Sequence, residues 1–263
     1  MIRALYTSAT GMNAQTISLD NTANNIANVN TIGYKRGEIS FQDLLYYNQQ
    51  APGGTAAQGL QFPTGIQIGS GTRVSGITKI FTPGALLNTQ NPLDVAIEGD
   101  GFFQVLLPNG EIRYTRDGSF RINAQGSLVT SDGFLVSPQI TIPPQAVSIS
   151  IGSDGTVSVQ NAGALNTTTV VGQLTIVRFQ NPAGLSAEGR NLFAETASSG
   201  APIISVPGQN GAGFTRQGFL ERANVDIVSE LINLITSQRA YEFNTRAIRT
   251  ADNMLAATAD LIR

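Results

Sequence analysis

The stretch IRALYTSATGMNAQTISLDNTANNIA, residues 2–27, decides the fold. Apolar or small side chains recur along it at alternating three- and four-residue steps: Ile2, Leu5, Ala9, Met12, Thr16, Leu19, Ala23 and Ile26. That is the a/d spacing of a heptad, which places one continuous stripe on a helix. The stretch holds no Pro and only one Gly, Gly11. It therefore predicts a helix about 39 Å long at about 1.5 Å per residue.

The far end of the chain answers it. Ile227, Leu231, Leu234, Tyr241, Ile248, Leu255 and Ile262 fall on one stripe, widened at its start by Val228, Ile232 and Ile235. Gln238, Thr245 and Asp252 interrupt that stripe at seven-residue intervals. A helix over 226–262, about 55 Å long, is predicted. Asn224 or Asp226 can cap it, because a short polar side chain accepts the free N–H groups of a first turn.

Between the ends the punctuation changes. All 11 Pro lie between Pro52 and Pro207, and all 28 Gly except Gly11 and Gly33 lie between Gly37 and Gly218. Pro and Gly break helices, so this middle reads as β. GFFQVLL at 101–107, the turn Pro108-Asn109-Gly110 and EIRYTR at 111–116 read as a hairpin. Asp117-Gly118, Asp132-Gly133 and Asp154-Gly155 recur as turn dipeptides. VSISI at 147–151, TVSV at 156–159, QLTIVRF at 173–179 and NLFAET at 191–196 continue the strands, at a spacing that suggests a small sandwich or barrel. From Asn48 to Thr72 the chain carries no charge and is rich in Gly, Gln, Ala and Thr, which on composition reads as a disordered loop.

The expected fold is thus α+β: long N- and C-terminal helices paired as an antiparallel coiled coil, enclosing a mostly-β central region. The expected segments are 1–36 (helix and turn), 37–80 (a connection containing the uncharged 46–72), 81–218 (β domain) and 219–263 (C-terminal helix). Two arrangements satisfy the stripes. The helix pair can pack on the β region of its own chain, or it can present faces to neighbouring chains, a heterologous contact that grows into rings or helical polymers.

Composition removes most chemistry. The 263 residues include no Cys, His or Trp. Zinc sites of the usual kind, thiol nucleophiles and His-based triads are excluded. Charged residues are 13% of the chain, against about 25% in an average soluble protein. A formal net charge of −2 gives no cationic field for nucleic acid. The absence of Cys does not fix the redox compartment. The N-terminus has one Arg and no apolar run of signal-peptide type, so export without a cleaved signal is expected of a chain that works outside the cytoplasm. No run approaches the about 18 apolar residues of a membrane span.

ANNIANVNTIGYK at 23–35 and SQRAYEFNTRAIRTADNML at 237–255 resemble the signatures of the bacterial flagellar axial proteins, the rod, hook and hook-associated family. DVAIEGDGFFQV at 94–105, YTRDGSF at 114–120 and GSLVTSDGFLV at 126–136 are similar to the β region of its rod and hook members. Tyr46–Thr72, with APGG, FPTG and IQIGSGT, and SSGAPIISVPGQNGAG at 198–213 resemble the distal-rod branch. The likeness covers nearly the whole chain; the opening MIRALYTSATGM is less apolar than the pattern.

The resemblance implies a structural subunit of a tubular helical drive shaft in the basal body. It implies a homopolymer with proximal rod proteins below, hook protein above and a ring bushing around it. Export through the flagellar type III apparatus and passage across the periplasm are implied too, with no enzyme activity, no cofactor and no metal. Implied assembly residues are Ile2, Leu5, Ala9, Met12, Leu19, Ile26, Val228, Leu231, Ile232, Ile235, Tyr241, Ile248, Leu255 and Ile262. The family motif falls on Asn24, Asn25, Asn28, Gly33, Tyr34 and Lys35, and on Gln238, Arg239, Tyr241, Glu242 and Asn244. A rod-type segment falls on Tyr46, Pro52, Gly53, Phe62, Pro63 and Gly65, and would add contacts between neighbouring subunits. Amide side chains such as Asn24, Asn25, Asn28 and Asn30 can fix a turn by bonding free backbone groups, and Gly33 permits a positive φ there. The alternatives are hook or proximal rod protein of the same family, or a β-domain surface binding module. A calcium site or a glycosidase pair is disfavoured, since each Asp-Gly turn offers a single carboxylate and nothing designates a facing pair. The Gly spacing near 97–101 lacks the following helix that a phosphate loop needs.

Overall fold

The computed structural model of the chain describes residues 2–50, 55–57, 60–61, 64–161 and 168–260. It has one helix at each end, α1 (Ile2–Ala27) and α2 (Ile227–Asp260), and a central region made almost wholly of β-strands. The fold class is α+β. No described helix is long and apolar enough to cross a membrane.

The chain divides into two compact units, one of Met1–Ala27, Gly37–Thr78 and Asp226–Arg263, the other of Asn28–Arg36 and Lys79–Val225. In the first, α1 carries its Thr residues by bonding them back: the hydroxyls of Thr7 and Thr16 donate to the carbonyls of Arg3 and Met12 at 2.8 and 3.0 Å. Asp226 caps α2, with Oδ1 accepting from the Val228 N–H at 3.4 Å and Oδ2 from the Ser229 hydroxyl at 2.6 Å. The Ser229 bond is the main reason that the Asp226 carboxyl is held below its ordinary pKa. Asn224, the other cap expected, is used elsewhere: its Oδ1 accepts from the Arg36 N–H and its Nδ2 donates to the Ile80 carbonyl, each at 2.8 Å.

The uncharged stretch is not a structureless loop where it is described. Gly37–Asp43 pairs with Thr72–Lys79, Tyr46–Gln50 with Ile66–Gly69, and Thr55–Ala57 with Leu60–Gln61, each pair nested inside the last. Few charges are needed because the backbone bonds itself across the ribbon, and Tyr47 and Ile68 stand opposite each other in the register.

The second unit centres on a seven-stranded antiparallel sheet. Its order is Arg121–Ile122, Leu128–Val129, Leu135–Ser137, Phe103–Leu106, Ile112–Thr115, Leu192–Ala194, Ser186–Gly189. The expected hairpin is there, with Phe103 opposite Thr115 and Leu106 opposite Ile112. A three-stranded sheet of Ala146–Ile151, Thr156–Asn161 and Thr168–Gln173 packs its Ile151, Val157 and Val159 into one core with Phe103, Leu128 and Val136. QLTIVRF is not one strand. The chain leaves that sheet at Gln173, buries Leu174 completely, and starts a new pairing at Ile176–Arg178 with Ile203–Ser205. A second core is aromatic: Phe81, Phe102, Tyr114, Phe179 and Phe193 meet edge-to-face at 4.7 to 5.9 Å.

Candidate assembly interface

The two helices touch along a seam of small and polar side chains. On α1 the buried positions are Ala14, Ser18, Thr22 and Asn25; on α2 they are Glu230, Ser237 and Ala251. The Ser18 and Ser237 hydroxyls lie 3.2 Å apart, and the Thr245 hydroxyl points to Met12 Sδ at 3.5 Å. Gly11 lets the helices close up, because a Cβ there would come within 3.0 Å of Asn244 Nδ2. Low positions on α1 thus meet high positions on α2, so the two chain directions oppose.

Four large aliphatic side chains near the start of α2 stand outside this seam. Val228 is 66% exposed, Ile232 56%, Ile235 50% and Leu231 46%, with Tyr241 and Phe243 exposed beyond them. At 100° per residue these four aliphatics centre about 150° from the Glu230–Ser237 line, on the opposite side of α2. The heptad stripe of α1 sits between the two: Leu5, Met12, Leu19 and Ile26 are half-buried and Ala9 is exposed. Ile248 and Leu255 are half-buried, Ile2 opens α1, and Ile262 lies outside the described residues. The most buried positions of the seam are not those large residues, although Leu234, Ile248 and Leu255 are half-buried on the same side of α2. The signal for the seam was the seven-residue series Glu230, Ser237, Asn244 and Ala251, none of them a large apolar residue.

The motif residues divide by role. Asn25 is buried and imitates a strand: its Nδ2 donates to the Gly37 carbonyl and its Oδ1 accepts the Gly37 N–H, both at 2.9 Å. Asn21 donates to the same carbonyl at 2.9 Å. Asn28 accepts the Thr31 hydroxyl at 3.1 Å, and Gly33 turns the chain at φ 69° while donating to the Glu221 carbonyl at 2.8 Å. Tyr34 lies under Lys79, whose ammonium stands 4.4 Å from the ring centre. Asn24, Gln238, Arg239 and Glu242 are exposed, and Asn244 is half-buried.

Lys35 enters a buried ion cluster that the sequence did not signal. Its Nζ donates to Glu221 Oε1 at 2.7 Å and to the Thr82 carbonyl at 2.8 Å. Arg116 Nε stands 3.2 Å from Glu221 Oε2, an ion pair without hydrogen-bond alignment, and its Nη2 donates to the Gly99 carbonyl at 2.8 Å. Glu221 Oε1 also accepts the Gly84 N–H at 2.8 Å. Burial, then the neighbouring Arg116 cation, bring the Lys35 pKa down to about 8 against the pull of Glu221. Burial lowers Arg116 too, offset by Glu221 and Asp100. Both effects express the cost of two cations held in a dry site.

Of the rod-type segment, Tyr46 is exposed and Gly65 half-buried; Pro52, Gly53, Phe62 and Pro63 lie outside the described residues. Tyr47, Ile66 and Ile68 are exposed beside Tyr46. The Asp-Gly turns spend their carboxylates locally: Asp117 accepts from the N–H and hydroxyl of Ser119, and Asp154 from those of Thr156. Among the described residues no three acidic or other ligating side chains group as a metal site.

Comparison with known proteins converges on one family. Residues 5–35 match the family described as flagella basal body rod protein. Residues 96–159 match the flagellar hook protein FlgE/F/G D1 domain, and residues 216–261 the flagellar basal body rod FlgEFG protein C-terminal. The flagellar basal-body rod protein FlgG of Borreliella burgdorferi is 47% identical over 100% of both chains. That of Caulobacter vibrioides is 47% identical over 99% of each chain, and that of Bacillus subtilis 40% identical over 100% of each.

Proposed function

The chain belongs to the flagellar basal-body rod protein family and is a structural rod subunit; from that premise we propose that it polymerises with itself through its helices. In this reading α1 and α2 form an antiparallel coiled coil whose small-residue seam closes within the subunit, and whose large apolar face is covered by neighbouring copies. The observation that carries it is the exposure of Val228, Leu231, Ile232 and Ile235 on the side of α2 away from α1. Four large aliphatics on one helical face have no reason to stand in water, and covering them contributes about 1 kcal/mol or more each, given about 1.5–3 kcal/mol for complete burial of such a side chain.

The polymer is a distal rod: a tubular drive shaft that crosses the periplasm inside a ring bushing, joins proximal rod proteins below and hook protein above, and transmits torque. Its subunits leave through the flagellar export apparatus. The segments 1–36, 37–80, 81–218 and 219–263 are its working parts, with the terminal helices lining the tube. Exposed Tyr46, Tyr47, Ile66 and Ile68 on the nested strands support a further subunit contact from segment 46–72.

The test is electron microscopy of basal bodies from cells whose only copy carries Leu231→Asp together with Ile235→Asp. Basal bodies that stop at a short proximal rod are expected, while the purified variant keeps the cooperative melting of its β unit. Rods of normal length from this variant would sink the helix-wall reading. A complete rod lacking only its hook, in cells without the gene, would favour hook protein.

A further inference from the structure

Asn followed by Gly is a chemically labile pairing. The Gly nitrogen can close on the Asn side-chain carbonyl carbon with no side chain in its way, and Asn is among the thermolabile residues. The chain holds two such pairs, Asn109-Gly110 and Asn210-Gly211, and both Asn residues are exposed at turns. Sequence alone ranks the two equally; the hydrogen bonds around them do not.

Asn109 is tied down. Its Oδ1 accepts the Glu111 N–H at 3.0 Å and its Nδ2 donates to Glu111 Oε2 at 2.9 Å. The nitrogen that would attack is occupied as well, since the Gly110 N–H donates to the Leu107 carbonyl at 2.9 Å. Ring closure there begins with the loss of all three bonds. Asn210 and Gly211, at φ 51° and 73°, form the centre of a turn closed by the Ala212 N–H on the Gln209 carbonyl at 2.8 Å. Among the described residues, neither the Asn210 side chain nor the Gly211 N–H has a hydrogen-bond partner. What is held is the Asn210 carbonyl oxygen, which accepts from Arg178 Nη1 at 2.5 Å. A peptide nitrogen that gives up its proton shares the negative charge with the carbonyl oxygen of the same peptide group. The Arg178 cation therefore stands where charge develops as the Gly211 nitrogen becomes a nucleophile, and a fixed donor at such a point lowers the barrier.

We propose that Asn210 is a site of self-modification, converted to Asp and isoaspartate through attack by the Gly211 nitrogen, with Arg178 promoting the step. Hydroxide takes the Gly211 proton, and the nitrogen bonds to Asn210 Cγ. The Cγ–Nδ2 bond then breaks, and the amide nitrogen takes a proton from water and leaves as ammonia. Water opens the resulting cyclic imide at either carbonyl, giving Asp or isoaspartate. The new carboxylate forms beside Arg178, which has no ion-pair partner among the described residues. The loop thus gains a negative charge with age, whether or not the rod reading holds.

The test holds the full-length protein for days in warm, mildly alkaline buffer made with heavy-oxygen water, and follows label in its peptides by mass spectrometry. Label should enter at Asn210 at least about tenfold faster than at Asn109, where hydrogen bonds must first be given up. Arg178→Gln should slow labelling at Asn210 about tenfold, the loss of one charge-assisted contact, and leave Asn109 unchanged. A substitution that merely loosened the loop would speed the reaction, so slowing separates electrostatic help from structural support. Arg178→Lys, which keeps the charge, should label faster than Arg178→Gln. An Asn210 that stays unlabelled, or labels no faster than Asn109, overturns the site. A rate at Asn210 that Arg178→Gln leaves unchanged or raises, or that is no higher in Arg178→Lys than in Arg178→Gln, overturns the role of Arg178.

Discussion

Replacing Glu221 by Gln should be far more damaging than replacing Lys35 by Met, although the two residues share one 2.7 Å ion pair. Gln keeps the shape of Glu221 but removes the single carboxylate facing both Lys35 Nζ and Arg116 Nε, and weakens the acceptor of the Gly84 N–H. Breaking one buried pair by deleting a partner costs about 3–5 kcal/mol, and here two cations are stranded, which puts the expectation near about 5 kcal/mol. Lys35→Met leaves Arg116 and Glu221 as one cation facing one anion. The Thr82 carbonyl that Lys35 served still accepts from Asn224 Nδ2 at 3.2 Å, so no buried acceptor is orphaned. That change should cost about 1 kcal/mol. At about 2–4 °C per kcal/mol for a unit of this size, calorimetry of the full chain should show Glu221→Gln lowering the β-unit transition by about 10–20 °C and Lys35→Met by only a few. Equal shifts for the two variants, or a smaller one for Glu221→Gln, would refute the idea of one carboxylate holding two cations.

Two other outcomes follow from the same region. The folded Lys35 pKa of about 8 lies below its ordinary 10.5, so between those values the unfolded chain holds more protons and stability rises with pH. Burial lowers Lys79 as well, which adds the same sign. Tyr114, raised from 10.0 to about 12 first by burial and then by Glu195, acts oppositely: folded protein holds its proton longer, and stability falls as pH rises above about 10. The β-unit midpoint should therefore climb from about pH 8 to about pH 10 and decline beyond, with Lys35→Met flattening the climb; a steady fall across that first interval contradicts the assignment. Gly33→Ala places a Cβ at 2.8 Å from the backbone of Arg116 and Asp117 at a residue whose φ is 69°. Backbone cannot yield as a side-chain tip can, so denaturant unfolding should show a loss of at least about 2 kcal/mol, and a loss under about 0.5 kcal/mol would mean that the turn relaxes freely.

What the sequence made legible was whatever depends on local pattern. Both helices, the Phe103–Thr115 hairpin and the Asp154-Gly155 turn rest on periodicity and turn chemistry that a few neighbouring residues carry. The split of QLTIVRF was illegible, because the break lies in a continuous apolar run and is set by which sheet each half pairs with. The uncharged stretch misled for a related reason: a hairpin that bonds backbone to backbone needs no charged or strongly apolar side chains to declare it. Glu221 and Arg116 lie far apart in the chain and look like ordinary surface charges until the fold buries them at 1% and 2% exposure.

The side chains that close the helix pair were the hardest to read from the sequence. A heptad of large side chains is ordinarily read as the seam of a pair, yet here Gly11 faces Asn244 and Ser18 faces Ser237, while Leu231 and Ile235 stay exposed. Small residues allow close approach but bury little apolar surface, and each Ser–Ser contact adds only about 1 kcal/mol. A helix pair closed mainly by such a seam is weakly held on its own, since isolated helices draw most of their stability from an apolar face. On the proposed reading that face is supplied by neighbours, so the helices gain firmness as the subunit enters the polymer. The same division explains why α2 keeps its largest aliphatics where its own chain does not reach them: a subunit that satisfied them internally would have nothing left to join with.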